Sequence, residues 1–220
     1  MGNALFIIVN HYSFLLAKGV LATITLWFLC SLLSCIIGFV TGIIRSDHCR
    51  IAVFSSLCDG SMFIFRAVPL YVQLLFAYFV IPEIIGINIS AAITGCITLG
   101  LCSGAYTSEI IRGGINALSR GQWDASFVLG YTRVQQLYYI VIPQVMRATT
   151  PMLLNECNAV LKSTAILATI GTVELTKIGM NIAIRSLDPL PIYTIIAIIY
   201  MLLTMGFTWV SRMIEKRLYL

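Results

Sequence analysis

The sequence predicts an all-α integral membrane protein, a single domain over residues 1–220 with five transmembrane helices. Three observations lead there. Only 10% of the residues are charged while 59% are hydrophobic, against about 25% charged in a soluble domain. The mean hydropathy is +0.95. A spanning helix needs about 20 apolar residues, and three stretches, 19–44, 84–108 and 189–211, reach that length with no charge at all.

The first span is placed at 19–44. The stretch ahead of it, "MGNALFIIVNHYSFLLAKG", has no basic segment before its apolar part, so it does not read as a cleavable leader. The second, 57–81, is apolar but carries Asp59 and Arg66. Asp59, Arg66 and Gln73 recur every seven residues and drift only about 20° per step, so they predict one polar stripe. Pro69 removes a backbone hydrogen bond within it and predicts a local break. The third span, 89–110, contains "GLCSGAYTSE", where Gly100, Gly104 and Ser108 predict a close helix approach. Glu109 at its inner end is positioned to pair with Arg112.

The fourth span, 148–171, is interrupted by "NECNAVLKST". Asn155, Asn158 and Lys162 fall within an arc of about 60°, with Glu156 and Ser163 on its shoulder. A polar arc in lipid must face a partner or a water-filled path, so Asn155, Glu156, Asn158, Lys162 and Thr164, with Arg66 and Gln73, are the candidate substrate path. The alternative is that Arg66, Asp59, Lys162 and Glu156 pair with one another and hold the bundle together. Glu174 and Lys177 repeat the Glu109–Arg112 spacing near the outer face. The fifth span, 190–211, closes the domain, with Trp209 beside Arg212 as an interfacial anchor.

Nine of the fourteen basic residues lie in the 45–50 loop, the 111–147 loop and the tail, while the 82–88 turn has none. The positive-inside rule then puts the N-terminus outside and the C-terminus in the cytoplasm. The seven cysteines, Cys30, Cys35, Cys49, Cys58, Cys96, Cys102 and Cys157, show no CxxC pair and read as small buried hydrophobes rather than disulfides or metal ligands. Nothing in the charge pattern calls for nucleic acid.

Within the long cytoplasmic loop, "RGQWDASFVLGYT" (120–132) combines Trp123, Phe127 and Tyr131 at i, i+4 and i+8 with the small residues Ala125, Ser126 and Gly130. That is a short amphipathic helix suited to docking a soluble partner, with Trp123 as a docking anchor. An interfacial helix on lipid would carry more Lys and Arg on its polar face.

Asp124-Ala125-Ser126, three residues, Gly130, nine residues and Ile140-Val141-Ile142-Pro143 resembles the EAA loop of ABC-importer permeases, Glu-Ala-Ala, three residues, Gly, nine residues, Ile-x-Leu-Pro. The blocks "GVLATITL", "FRAVPLYVQ", "GAYTSEIIRGG", "RGQWDAS", "IPQVMR", "LKSTAIL" and "GTVELT" likewise resemble successive blocks of the polar amino-acid permeases. Departures are Asp124 for Glu, Ser126 for the second Ala, Arg66-Ala67-Val68-Pro69-Leu70 for Arg-Gly-Thr-Pro-Leu, and Ala165 at a Ser position. The resemblance implies a type I importer fold in a bacterial inner membrane. It implies a homo- or heterodimer with a second permease subunit, two cytoplasmic ATPase subunits, and an extracytoplasmic amino-acid-binding protein. Gly121, Gln122, Trp123, Asp124, Ala125, Ser126 and Gly130 would form the coupling helix that docks in the ATPase. ATP and Mg would be held there, since this chain has no GxxxxGK[ST] loop and no cofactor of its own. Arginine or glutamine is the expected substrate.

Two readings from other classes compete. An intramembrane enzyme needs a nucleophile–base pair or metal ligands in the spans, whereas His11 and His48 lie at the N-terminus and in a loop. An ATP-independent secondary transporter or channel for small polar solutes would be supported by internal repeats, which the sequence lacks.

Overall fold

Eight helices follow one another in the computed structural model, which describes residues 2–50 and 52–219. They are α1 (Gly2–Ile44), α2 (Ala52–Ala67), α3 (Leu70–Ile85), α4 (Ala91–Asn116), α5 (Arg120–Val128), α6 (Arg133–Ile170), α7 (Leu175–Ser186) and α8 (Pro189–Tyr219). Among the described residues, His11–Ile44 and Pro189–Leu218 are long and apolar enough to cross a membrane alone, and counting each of two bent helix pairs as one span raises the number to four.

Of the five predicted spans, the one that misses this test, α4, is the centre of the bundle. It buries thirteen residues, most of them Gly, Ser, Thr or Ala. Facing protein instead of lipid, it gains from small side chains that let backbones approach, which lowers its hydropathy. Against α1 it forms a seam of that kind. A methyl group at Gly100 would lie 2.6 Å from Leu33, one at Gly104 3.1 Å from Ile37, and one at Gly38 would land on Thr107. Ser34 bonds Ser103 and Thr107 at 3.0 Å each, and Thr41 donates to Ser108 at 2.9 Å. The close approach expected of Gly100, Gly104 and Ser108 is therefore present, on α1. The opposite face of α1 leaves Leu21, Phe28, Leu32, Ile36 and Val40 exposed.

Prolines shape the helices in two ways. Pro69 ends one helix and starts another, because its ring disfavours helical geometry at Val68, and α2 and α3 meet at 104°. The predicted stripe is thereby dismantled: Asp59 pairs with Arg45 and Arg50, Arg66 with Glu109, and Gln73 turns back on the break. Pro82 and Pro143 sit inside continuous helices, and each follows a widened π-helical turn, Phe76–Val80 and Leu137–Val141. The proline ring clashes with the carbonyl four residues back, and a wider turn relieves that clash.

Three boundaries differ from the sequence expectation. The helix holding the first predicted span begins at Gly2, with Lys18 folded over Phe14 at 4.4 Å instead of interrupting it. The 111–147 loop is mostly helix, since α4 runs to Asn116 and α6 starts at Arg133 behind a capping box of Thr132 and Gln135. The third difference follows α6, which tightens to a 3₁₀ turn at Thr164–Ile170, reverses at Gly171 (φ +88°) and leads into α7, bent by 48°. Glu174 caps α7 by accepting from the backbone N–H groups of Thr176 and Lys177. The expected Glu174–Lys177 side-chain pair is replaced by this cap, whereas Glu109 and Arg112 do pair, at 2.7 Å.

Candidate functional site

Two regions collect the candidate residues. The first is α5. Its nine residues stop in a Schellman motif, Gly130 N–H donating to Phe127 O at 3.0 Å and Tyr131 N–H to Ser126 O at 3.1 Å, which requires the positive φ of +81° found at Gly130. The helix therefore ends at Val128, ahead of the expected 132. Gly121, Gln122, Asp124 and Ala125 face outward, and Gln122 accepts from Gln144 at 3.3 Å. Ser126 is buried and donates to the Trp123 carbonyl at 2.8 Å.

Trp123 corrects the sequence reading. It is 5% exposed and packs with Ile111, Ile115, Val141 and Val145, so it fastens α5 to its own bundle and offers no outward anchor. The most exposed aromatic of the segment is Phe127, at 72%, next to Val128 at 84%, with Tyr131 exposed as well. His48, from the α1–α2 turn, stacks on the indole with centroids 4.3 Å apart and planes 3° off parallel. A cavity of 300 Å³ beside the pair is bordered by Arg120, Asp124, Phe127, Arg133 and Gln136.

The second region is a cavity of 440 Å³ where the α2–α3 bend meets α4 and α6. Arg66 and Glu156 bring opposite charges to its wall, joined by Ser103, Tyr106 and Ser163. Glu156 accepts a hydrogen bond from Ser103 Oγ at 2.7 Å. Of the predicted path, only Arg66 and Glu156 line this space. Gln73 is used locally: its amide nitrogen donates to the carbonyls of Phe65 and Val68 at 2.8 and 2.7 Å, satisfying groups stranded by the Pro69 break. Asn158 points away and donates to Thr208 on α8 at 3.3 Å. Thr164 is fully buried and donates to its own helix at Leu161 O. Asn155 and Lys162 are exposed on another face of α6. The 60° arc is thus divided between two surroundings, Asn158 against α8 and Asn155 with Lys162 exposed.

A charge cluster that sequence reasoning did not assemble lies beside the bend. Arg45, 4% exposed, reaches Asp59 at 2.7 Å and Glu109 at 2.6 Å, and Glu109 also holds Arg66 at 2.9 Å and Arg112 at 2.7 Å. Only the Glu109–Arg112 spacing was visible in sequence. Ser103, whose hydroxyl holds Glu156, lay inside a segment read as packing.

Comparison with known proteins places this geometry. Residues 36–219 match the family model for the inner membrane component of binding-protein-dependent transport systems. The putative glutamine transport system permease protein GlnP of Rickettsia typhi is 31% identical over 202 residues, 91% of each chain. The arginine transport system permease protein ArtQ of Bacillus subtilis is 31% identical over 84% of this chain and 85% of that one. A crystal structure of an amino acid ABC transporter with histidines superposes with a TM-score of 0.87 at 32% identity, covering 96% of this chain and 98% of that one. The MetNI methionine ABC transporter, at 16% identity and a TM-score of 0.81, shares the fold over 94% of this chain and 97% of that one. The chain belongs to the family of binding-protein-dependent transport system inner membrane components, as a permease subunit and not the ATPase.

Proposed function

We propose that this chain imports a polar or basic amino acid, arginine or glutamine, by alternating access in a bacterial inner membrane. It pairs with a second permease subunit, two cytoplasmic ATPases and an extracytoplasmic binding protein. In this reading the domain has five spans, the α2–α3 pair counting as one, with the N-terminus outside and α5 in the cytoplasm. Closure of the ATPases on ATP draws the two coupling helices together and opens the spans outward.

The observation that carries the reading is the build of α5. It is pinned to the bundle through Trp123 and Ser126 while Gln122, Asp124, Phe127 and Val128 stay outward, on the side of the chain with most basic residues. Such a helix can be held from outside and move the bundle with it. The substrate class is supported by the 440 Å³ cavity, within the usual range for small-ligand sites. Its Arg66 and Glu156 suit the opposite charges of an amino acid. Asn155 and Lys162, exposed on α6, would meet the path only across the permease pair.

The test is ATP hydrolysis by the chain reconstituted with its ATPase and binding protein, wild type against Asp124→Lys, with single amino acids added in turn. Stimulation by one amino acid in the wild type and its loss in the variant support the reading. Hydrolysis indifferent to both sinks it.

A further inference from the structure

A series of contacts runs from α5 to the cavity wall. Trp123 stacks flat on His48. His48 belongs to a short turn closed by its own backbone, Arg45 N–H to Thr41 O at 3.0 Å, Ser46 N–H to Ile43 O and Cys49 N–H to Ser46 O at 3.1 Å each. Asp47 N–H binds the Asn116 side chain at 3.1 Å and ties this turn to the end of α4. Three residues before His48, Arg45 places Nη2 on Glu109 Oε1 at 2.6 Å. The same oxygen takes Nη2 of Arg66 at 2.9 Å. Arg66 borders the cavity at the foot of the 104° bend, whose broken carbonyls Gln73 stitches together.

We propose that the 45–50 turn transmits the movement of α5 to the substrate cavity. His48 and Arg45 are positioning residues, and Glu109 is the shared carboxylate that passes the displacement to Arg66. The proposal rests on α5 being the helix that docks the ATPase. Three features favour transmission over simple packing. The stacked rings leave Trp123 Nε1 and His48 Nδ1 buried without a hydrogen-bond partner, so the pair is not held for its polar bonds. A turn cross-linked to the end of α4 and rooted in the buried Arg45 and Ser46 moves as a unit, as coupling through packed elements requires. Finally, one carboxylate oxygen bridging two guanidinium groups means that Arg45 cannot shift without changing what holds Arg66.

The experiment uses the reconstituted transporter with ATPase and binding protein, and reads amino-acid uptake per ATP hydrolysed. His48→Leu and His48→Phe have similar bulk, but only phenylalanine keeps a flat ring against Trp123. His48→Leu should co-purify with the ATPase as wild type does, yet lose uptake per ATP by at least about fivefold, the lower end of ordinary coupling between sites. His48→Phe should retain it. Combining His48→Leu with Arg66→Lys should add little to the larger single loss, because both interrupt one series, whereas independent sites multiply. Wild-type uptake per ATP in His48→Leu, or fully multiplicative losses in the double variant, overturns the proposal while leaving ATP-driven import intact. A wild-type complex showing no ATP-linked uptake, or an Asp124→Lys variant that hydrolyses and transports normally, overturns the functional reading and this proposal with it.

Discussion

Two acidic residues, Glu109 and Glu174, tie helices together at opposite ends of α4 and do so by opposite chemistry. Glu109 gathers three guanidinium groups, from Arg45, Arg66 and Arg112, and so joins α1, α2 and α4 by charge. Glu174 is fully buried and, among the described residues, meets no cation. It accepts N–H groups of Thr176 and Lys177 at 2.9 and 2.7 Å, the Tyr200 hydroxyl at 2.8 Å and the Thr23 hydroxyl at 3.5 Å, joining α1, α7 and α8. A carboxylate surrounded by excess cations leaves buried charge behind when it is removed. One surrounded by neutral donors leaves only unpaired donors. The two ends should therefore respond differently to the same substitution.

The largest effect is expected at Glu109. Replacing it by Gln leaves the buried Arg45 with Asp59 as its remaining carboxylate, and breaking a buried ion pair on one side costs about 3–5 kcal/mol. Thermal unfolding of the detergent-solubilised complex should fall steeply, and a melting temperature within error of wild type would show that the cluster is not structural. At the other end, Glu174→Ala removes the α7 cap and the link to Tyr200, at a cost of about 1–2 kcal/mol. Every partner of Glu174 is a neutral donor, and the amide of Glu174→Gln keeps an acceptor oxygen for them, so it should be tolerated far better than alanine. If Gln at 174 proved as damaging as Gln at 109, the contrast between a charged and a neutral hub would collapse.

What was legible in the sequence follows the same division between local and distant. Glu109–Arg112 is one helical turn and could be read directly, as could the close approach at Gly100 and Gly104. Arg45, Arg66 and Glu109 are brought together from the end of α1, the end of α2 and the C-terminal end of α4, and no spacing rule reports such a meeting. The polar residues on α6 are dispersed among different neighbours for a related reason. A helical wheel gives the angle of Asn158 or Thr164 but not the identity of the neighbour there, which is Thr208 for one and the helix's own backbone for the other. Pro69 announced a break, while the 104° bend and the use of Gln73 to repair it depend on what α3 packs against. Trp123 was visible as an anchor, but its direction was set by the cluster of Ile111, Ile115, Val141 and Val145, which only the folded chain assembles.

The smallest effect tests whether α5 must be rigid to be useful. Gly130 holds φ +81° with no atom near the position of a β-carbon, so the cost of Gly130→Ala is conformational and not steric crowding by neighbours. An L-residue in that left-handed region costs about 1 kcal/mol, too little to unfold a domain anchored by Trp123. The substitution should fray the Schellman end and leave the buried face in place. Backbone amide exchange should therefore quicken at Gly130 and Tyr131, whose N–H groups close the motif, while Ile111 and Ile115 stay protected. Faster exchange spreading into α4 would mean that the helix end and the bundle open together, and that α5 is fastened at its end as well as at Trp123.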